Sequence, residues 1–183
     1  LASEAVAIHR VPKEKVVVTG APTFDFWFEM GAPADRASFC SQVGLEDARP
    51  FIAYLCSSTS VTGDETSFVR SLAGSLSEHP DTRHLAVLVR PHPLNAKIWK
   101  GFSADNVRVW PEEGDIADIQ GPREDYYNTL FHSAAVVGVN TSALLEAAIV
   151  DRPCVTIMTG RYRESQIGRA HFQHLLNGDF MET

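Results

Sequence analysis

Residues 134–157, Ala134-Ala-Val-Val-Gly-Val-Asn-Thr-Ser-Ala-Leu-Leu-Glu-Ala-Ala-Ile-Val-Asp-Arg-Pro-Cys-Val-Thr-Ile157, decide the fold. Ala134–Val139 is a short run with apolar residues toward both faces, Thr141–Val150 has the spacing of a helix, and Cys154–Ile157 is a second apolar run. A strand that is apolar on both faces belongs to a sheet covered by helices on both sides, and two such strands joined by a helix form a βαβ unit. The same alternation continues outward. Val16–Thr19, Phe51–Leu55, Leu85–Val89 and Val107–Val109 read as further strands. Asp64–Glu78 places Phe68, Val69, Leu72, Ala73 and Leu76 on one helical stripe, and Thr62 with Glu65 has the spacing of a capping box. Asp35–Val43, Asp125–His132 and Gly168–Leu176 complete the helical set. The expected fold class is α/β, a doubly wound, mostly parallel, Rossmann-like sheet with helices on both faces. The breaks at Gly31–Pro33 and Pro111–Pro122 do not separate two cores, so residues 1–183 are expected to form a single domain.

Composition limits the function classes. The chain has 183 residues, 44% hydrophobic and 21% charged, enough apolar material for a core. A net charge of −7 and a pI near 5.4 argue against nucleic acid as a partner, because phosphate backbones require a basic surface. Cys40, Cys56 and Cys154 are an odd set without C-x-x-C spacing, which supports neither a disulfide framework nor a zinc cluster. Free thiols suit a reducing compartment, and a cytoplasmic location is expected. No apolar run approaches the roughly 18–20 residues of a membrane span, and no signal-peptide pattern is present. The first residue is Leu1 rather than Met, inside a helical pattern, which suggests an excised piece of a longer protein.

Open parallel sheets bind ligands beyond the carboxyl ends of their strands. Three loops there carry suitable chemistry. Cys56-Ser57-Ser58-Thr59-Ser60-Val61-Thr62-Gly63 offers hydroxyl and backbone donors ahead of a helix, either for an anion or simply as a capped turn. Arg90-Pro91-His92-Pro93 holds a permanent planar cation and a histidine on a stiff turn; His92 is then a ligand contact or a structural hydrogen-bonder. Gly138–Glu146 opens with Asn140, Thr141 and Ser142, of which Asn140 or Thr141 can cap the helix. Glu146 follows one turn below Ser142 in an otherwise apolar helix. It is either exposed at the helix edge or a bidentate acceptor for two ribose hydroxyls, with a diphosphate on the helix N-terminus.

The segment Gly138–Ile157 resembles the C-terminal nucleotide-sugar-binding domain of GT-B glycosyltransferases, whose relatives include UDP-GlcNAc 2-epimerases, capsule-type sugar transferases and CDP-glycerol glycerophosphotransferases. Val11–Pro22, ending in Thr19-Gly20-Ala21-Pro22, is similar to the interdomain entry of such proteins, and Arg90–Pro93 to their histidine-proline turn. The resemblance implies that Asn140, Thr141 and Ser142 bind the diphosphate and Glu146 the ribose. It further implies that Ser57, Ser58, Thr59, Ser60, Arg90 and His92 stabilise the leaving group, with no metal or cofactor required. The implied partners are a nucleotide-sugar donor and an N-terminal domain outside this chain, which would carry the acceptor site, the base and any peripheral membrane association. Such an isolated piece is expected to bind without turnover, and the implied process is cell-surface polysaccharide or glycolipid synthesis.

Departures from the relatives sharpen the choice. The epimerases carry an Asp-Ser-Gly-Gly turn where this chain has Asn140-Thr141-Ser142-Ala143, and the acidic, aromatic serine turn of the glycerophosphotransferases is also missing. Thr159–Glu164 faintly resembles an epimerase stretch, with Arg161 and Arg163 as loop cations that either reach a diphosphate or are solvated. The alternatives to a glycosyltransferase are an epimerase-like or glycerophosphotransferase-like enzyme and a non-catalytic doubly wound domain.

Overall fold

A computed structural model describes residues 2–31, 33–114 and 120–183, which fall into two units, Leu1–Met30 and Gly31–Thr183. The first holds two short helices, Ala2–Ala7 (α1) and Asp25–Glu29 (α2), and two 3₁₀ turns. The expected strand Val16–Thr19 is not formed. A strand needs a neighbour for its N–H and C=O groups; this run has none among the described residues, and Val17 and Val18 are 77% and 80% exposed.

In the second unit, Phe51–Leu55 (β1) is buried along its whole length and pairs in parallel with Ala86–Arg90 (β2) and Ala135–Gly138 (β4). Val107–Val109 (β3) flanks β2, while Cys154–Thr156 (β5) and Met181–Glu182 (β6) extend the other side. The order is β3-β2-β1-β4-β5-β6, every pair parallel, so the fold class read from the sequence is borne out. The winding reverses between β1 and β4, the switch point where open α/β sheets leave a ligand crevice. Leu55 stands opposite both Arg90 and Gly138, so the loops leaving β1, β2 and β4 start at one level.

The helices are Arg36–Val43 (α3), Thr66–Glu78 (α4), Gln120–His132 (α5), Ala143–Ile149 (α6), Arg163–Gln166 (α7) and Ala170–Leu176 (α8). Ile52, Tyr54 and Cys56 of one sheet face pack with Val69 and Ala73 of α4, while Phe51 on the other face meets Phe39 of α3 at 6.2 Å between ring centroids. Asp35 caps α3 by accepting from the Ser38 amide, and Gly44 ends it in the left-handed conformation. The strands sit within two residues of their expected bounds. Helix α5 begins at Gln120, earlier than the expected Asp125, and residues 115–119 of the Pro111–Pro122 stretch lie outside the described residues. Elements without an expectation include α2, α7, a 3₁₀ turn at Ala96–Trp99, and β6. Among the described residues no helix is long and apolar enough to cross a membrane.

Candidate functional site

The loops beyond β1, β2 and β4 are laced together by buried polar groups. The Cys56 amide donates to the Arg90 carbonyl at 3.1 Å, and Asn95 Nδ2 donates to the Ser57 carbonyl at 2.8 Å. Ser57 Oγ accepts from the Asn140 amide at 3.2 Å and donates to Glu65 Oε1 at 3.3 Å. Glu65 also accepts from the Ser57 amide at 3.0 Å and from Tyr54 Oη at 3.2 Å. The expected capping box is therefore absent: Asp64 Oδ1 accepts from the Thr66 amide and hydroxyl, while Glu65 turns into the core. Burial pushes the Glu65 carboxyl up to about 7 against the pull of its hydrogen bonds.

This wiring separates the candidate residues into two groups. Ser57 and Asn140 are buried and committed to the scaffold; Asn140 Nδ2 donates to the Ser165 carbonyl rather than capping α6. Thr141 Oγ1 instead accepts from the amide of Ala143, the first residue of α6, at 3.3 Å. Thr59 and Ser60 are exposed and Ser58 partly so, with Ser58 and Ser60 hydroxyls bonded to each other at 2.9 Å. Ser142 is exposed and caps nothing. Gly138 serves close approach rather than turning: a Cβ there would stand 3.0 Å from Thr141 Cγ2 and 3.3 Å from the Leu55 carbonyl oxygen.

Arg90 is only 7% exposed, and its Nη1 donates to Thr129 Oγ1 of α5 at 3.4 Å. Its guanidinium lies 5.4 Å from the centre of the Tyr126 ring, and the Tyr126 hydroxyl donates to the Glu146 carboxylate. Arg90 and Glu146, separate candidates in the sequence, thus meet the same tyrosine. Burial raises the Glu146 carboxyl above its ordinary value, opposed by the Tyr126 hydrogen bond. Tyr126 had no place among the sequence candidates. An aromatic on the inner side of a helix facing the sheet edge was the available signal.

His92 Nδ1 accepts from the Leu94 amide at 3.1 Å, which leaves the proton on Nε2 in the neutral ring. Burial holds its pKa below the ordinary histidine value. The next turn, Asn95, is buried with its Oδ1 unpartnered.

Beyond β5, the exposed Arg161 donates to Ser67 Oγ at 2.6 Å and to the Asp64 carbonyl at 2.9 Å, which ties it to the start of α4. Between this segment and the β1–α4 loop lies a groove of about 340 Å³, lined among others by Thr62, Arg161, Tyr162, Ser165 and Arg169. The Tyr162 hydroxyl and Gln166 Oε1, both in this region, are buried with no hydrogen-bond partner among the described residues.

No protein-family model matches the sequence, and no curated protein matches it by sequence. Solved structures do match in fold. Staphylococcus aureus MnaA, solved with UDP, aligns with 100% of this chain and 44% of its own at a TM-score of 0.65 and 14% identity. The UDP-GlcNAc 2-epimerase of Methanocaldococcus jannaschii, solved with UDP-GlcNAc and UDP, aligns with 89% of this chain and 44% of its own at 0.56 and 13%. The wall teichoic acid polymerase TagF aligns with 100% of this chain and 43% of its own at 0.57 and 12%. This chain spans less than half the length of each. The resemblance carried by Gly138–Ile157 and Arg90–Pro93 is borne out at the level of fold: this chain shares the α/β fold of the part of each protein with which it aligns.

Proposed function

We propose that this chain is the donor-binding half of a glycosyltransferase and holds a nucleoside diphosphate attached to a sugar at the carboxyl edge of β1, β2 and β4. The carrying observation is that a buried guanidinium, Arg90, over the ring of Tyr126 and a recessed carboxylate, Glu146, at its hydroxyl meet the same tyrosine at the switch point. A permanent planar cation suits a diphosphate and an acceptor-only carboxylate suits a ribose diol. Ser58, Thr59, Ser60, Thr141 and Ser142 add hydroxyl donors at the rim, and His92 adds a neutral Nε2–H donor. The groove beside Thr62 has room for a sugar ring.

Glycosyl transfer needs the growing negative charge on the leaving diphosphate stabilised while a base takes the acceptor proton. Arg90 and the hydroxyl rim supply the first need, and no fixed metal is required by it. The acceptor site and the base belong to a second domain in this reading, so this chain binds and does not turn over. An epimerase-like activity is the second reading, favoured by the fold likeness to the M. jannaschii UDP-GlcNAc 2-epimerase.

The test is thermal unfolding with UDP, GDP, CDP or CMP, because a ligand that binds only the native state raises its stability by mass action. One nucleotide is expected to raise the Tm, and Arg90→Gln to weaken the diphosphate about ten- to a hundredfold more than the bare nucleoside, the span for a charged hydrogen-bond partner. A chain unmoved by all four contradicts the proposal.

A further inference from the structure

Resting on the reading of Glu146 as the ribose acceptor, we propose that Tyr126 is the positioning residue that gives this site its preference for ribose over 2′-deoxyribose. Tyr126 belongs to α5 and Glu146 to α6, so the hydroxyl that reaches the carboxylate comes from a separate element. The same ring lies beneath the Arg90 guanidinium at 5.4 Å, and Thr129, one turn along α5, accepts from Arg90 Nη1 at 3.4 Å. One helix therefore fixes both the cation assigned to the diphosphate and the carboxylate assigned to the sugar.

The physical need is orientation. A glutamate has three side-chain torsions, and a carboxylate at a helix edge samples many of their combinations. Recognition of two vicinal hydroxyls requires the plane of the carboxylate to be held, since both oxygens accept at once. A hydrogen bond from Tyr126 occupies one of roughly four lone-pair sites and leaves enough for a diol. A 2′-deoxyribose offers only one hydroxyl and gains less from a carboxylate already aligned. Discrimination thus depends on Tyr126 even though Glu146 makes the contact.

Calorimetric titration with UDP and 2′-deoxy-UDP of the parent, Tyr126→Phe and Glu146→Gln tests this. Phenylalanine keeps the ring beneath Arg90 and removes only the hydroxyl. The parent is expected to prefer UDP about tenfold, and Glu146→Gln to bring the ratio near one. Tyr126→Phe should lower the ratio to about two- to threefold, with the loss on UDP and little change for 2′-deoxy-UDP or in Tm. A merely structural tyrosine would move Tm and both affinities together and leave the ratio alone. If Tyr126→Phe keeps the parent ratio, or binds UDP more tightly, while Glu146→Gln abolishes the preference, the inference is overturned and the function reading stands. If the parent shows no preference, or Glu146→Gln retains it, the reading of Glu146 fails and the inference with it.

Discussion

A carboxylate removed from solvent survives only if donors surround it or if it takes a proton. Glu65 has both provisions: three donors from Ser57 and Tyr54 converge on it, and burial pushes its pKa from 4.5 up to about 7. The sign of the pH effect follows. Between about pH 4.5 and 7 the folded chain holds a proton that the unfolded chain has released, so stability falls as pH rises through that window. Glu65→Gln has no charge to desolvate. Its stability relative to the parent should therefore improve by about 3 kcal/mol from pH 4 to pH 8, measured by urea unfolding at both values. An equal difference at the two pH values would mean that Glu65 titrates alike folded and unfolded. This residue was legible only in part: the Thr62–Glu65 spacing fitted a cap, and nothing local says the side chain turns inward. The usable signal was Tyr54, a hydroxyl in an otherwise apolar strand, which must find a partner when buried.

At the scale of elements, the junction of β4 and α6 is where packing and site meet. Gly138 lets the loop after β4 approach the end of β1, and a methyl group there meets Thr141 and the Leu55 carbonyl at 3.0 and 3.3 Å. Gly138→Ala should cost about 1–3 kcal/mol by overpacking, and should weaken nucleotide binding because Thr141 moves with the junction. Unchanged stability together with unchanged affinity would show that the loop has slack. The central strands were readable because burial on both faces leaves a continuous apolar run, as in Phe51–Leu55 and Ala86–Arg90. Val16–Thr19 has the same composition and forms no strand, since composition cannot supply a ladder neighbour. The short β6 was illegible for the opposite reason: Met181–Glu182 is two residues long and pairs only with β5.

Over the whole molecule, a net charge of −7 coexists with a buried cation at the sheet edge. Affinity for a small anion is then a property of one crevice rather than of the surface at large. The parallel order β3-β2-β1-β4-β5-β6 fixes where that crevice lies, and register sets Leu55, Arg90 and Gly138 at one level, so that the loops carrying Ser57, His92 and Asn140 start together. The partners of those residues came from distant elements, Glu65 at α4 and Tyr126 on α5, which no local spacing reveals. Amide chemical-shift mapping during titration with the nucleotide that raises Tm is the most direct measurement of the central claim. The account predicts shifts concentrated in residues 56–63, 90–95 and 140–146, at the carboxyl edge. Shifts gathered instead around Gly44, Asn106 and Arg108, at the opposite edge of the sheet, or none at all, would contradict it.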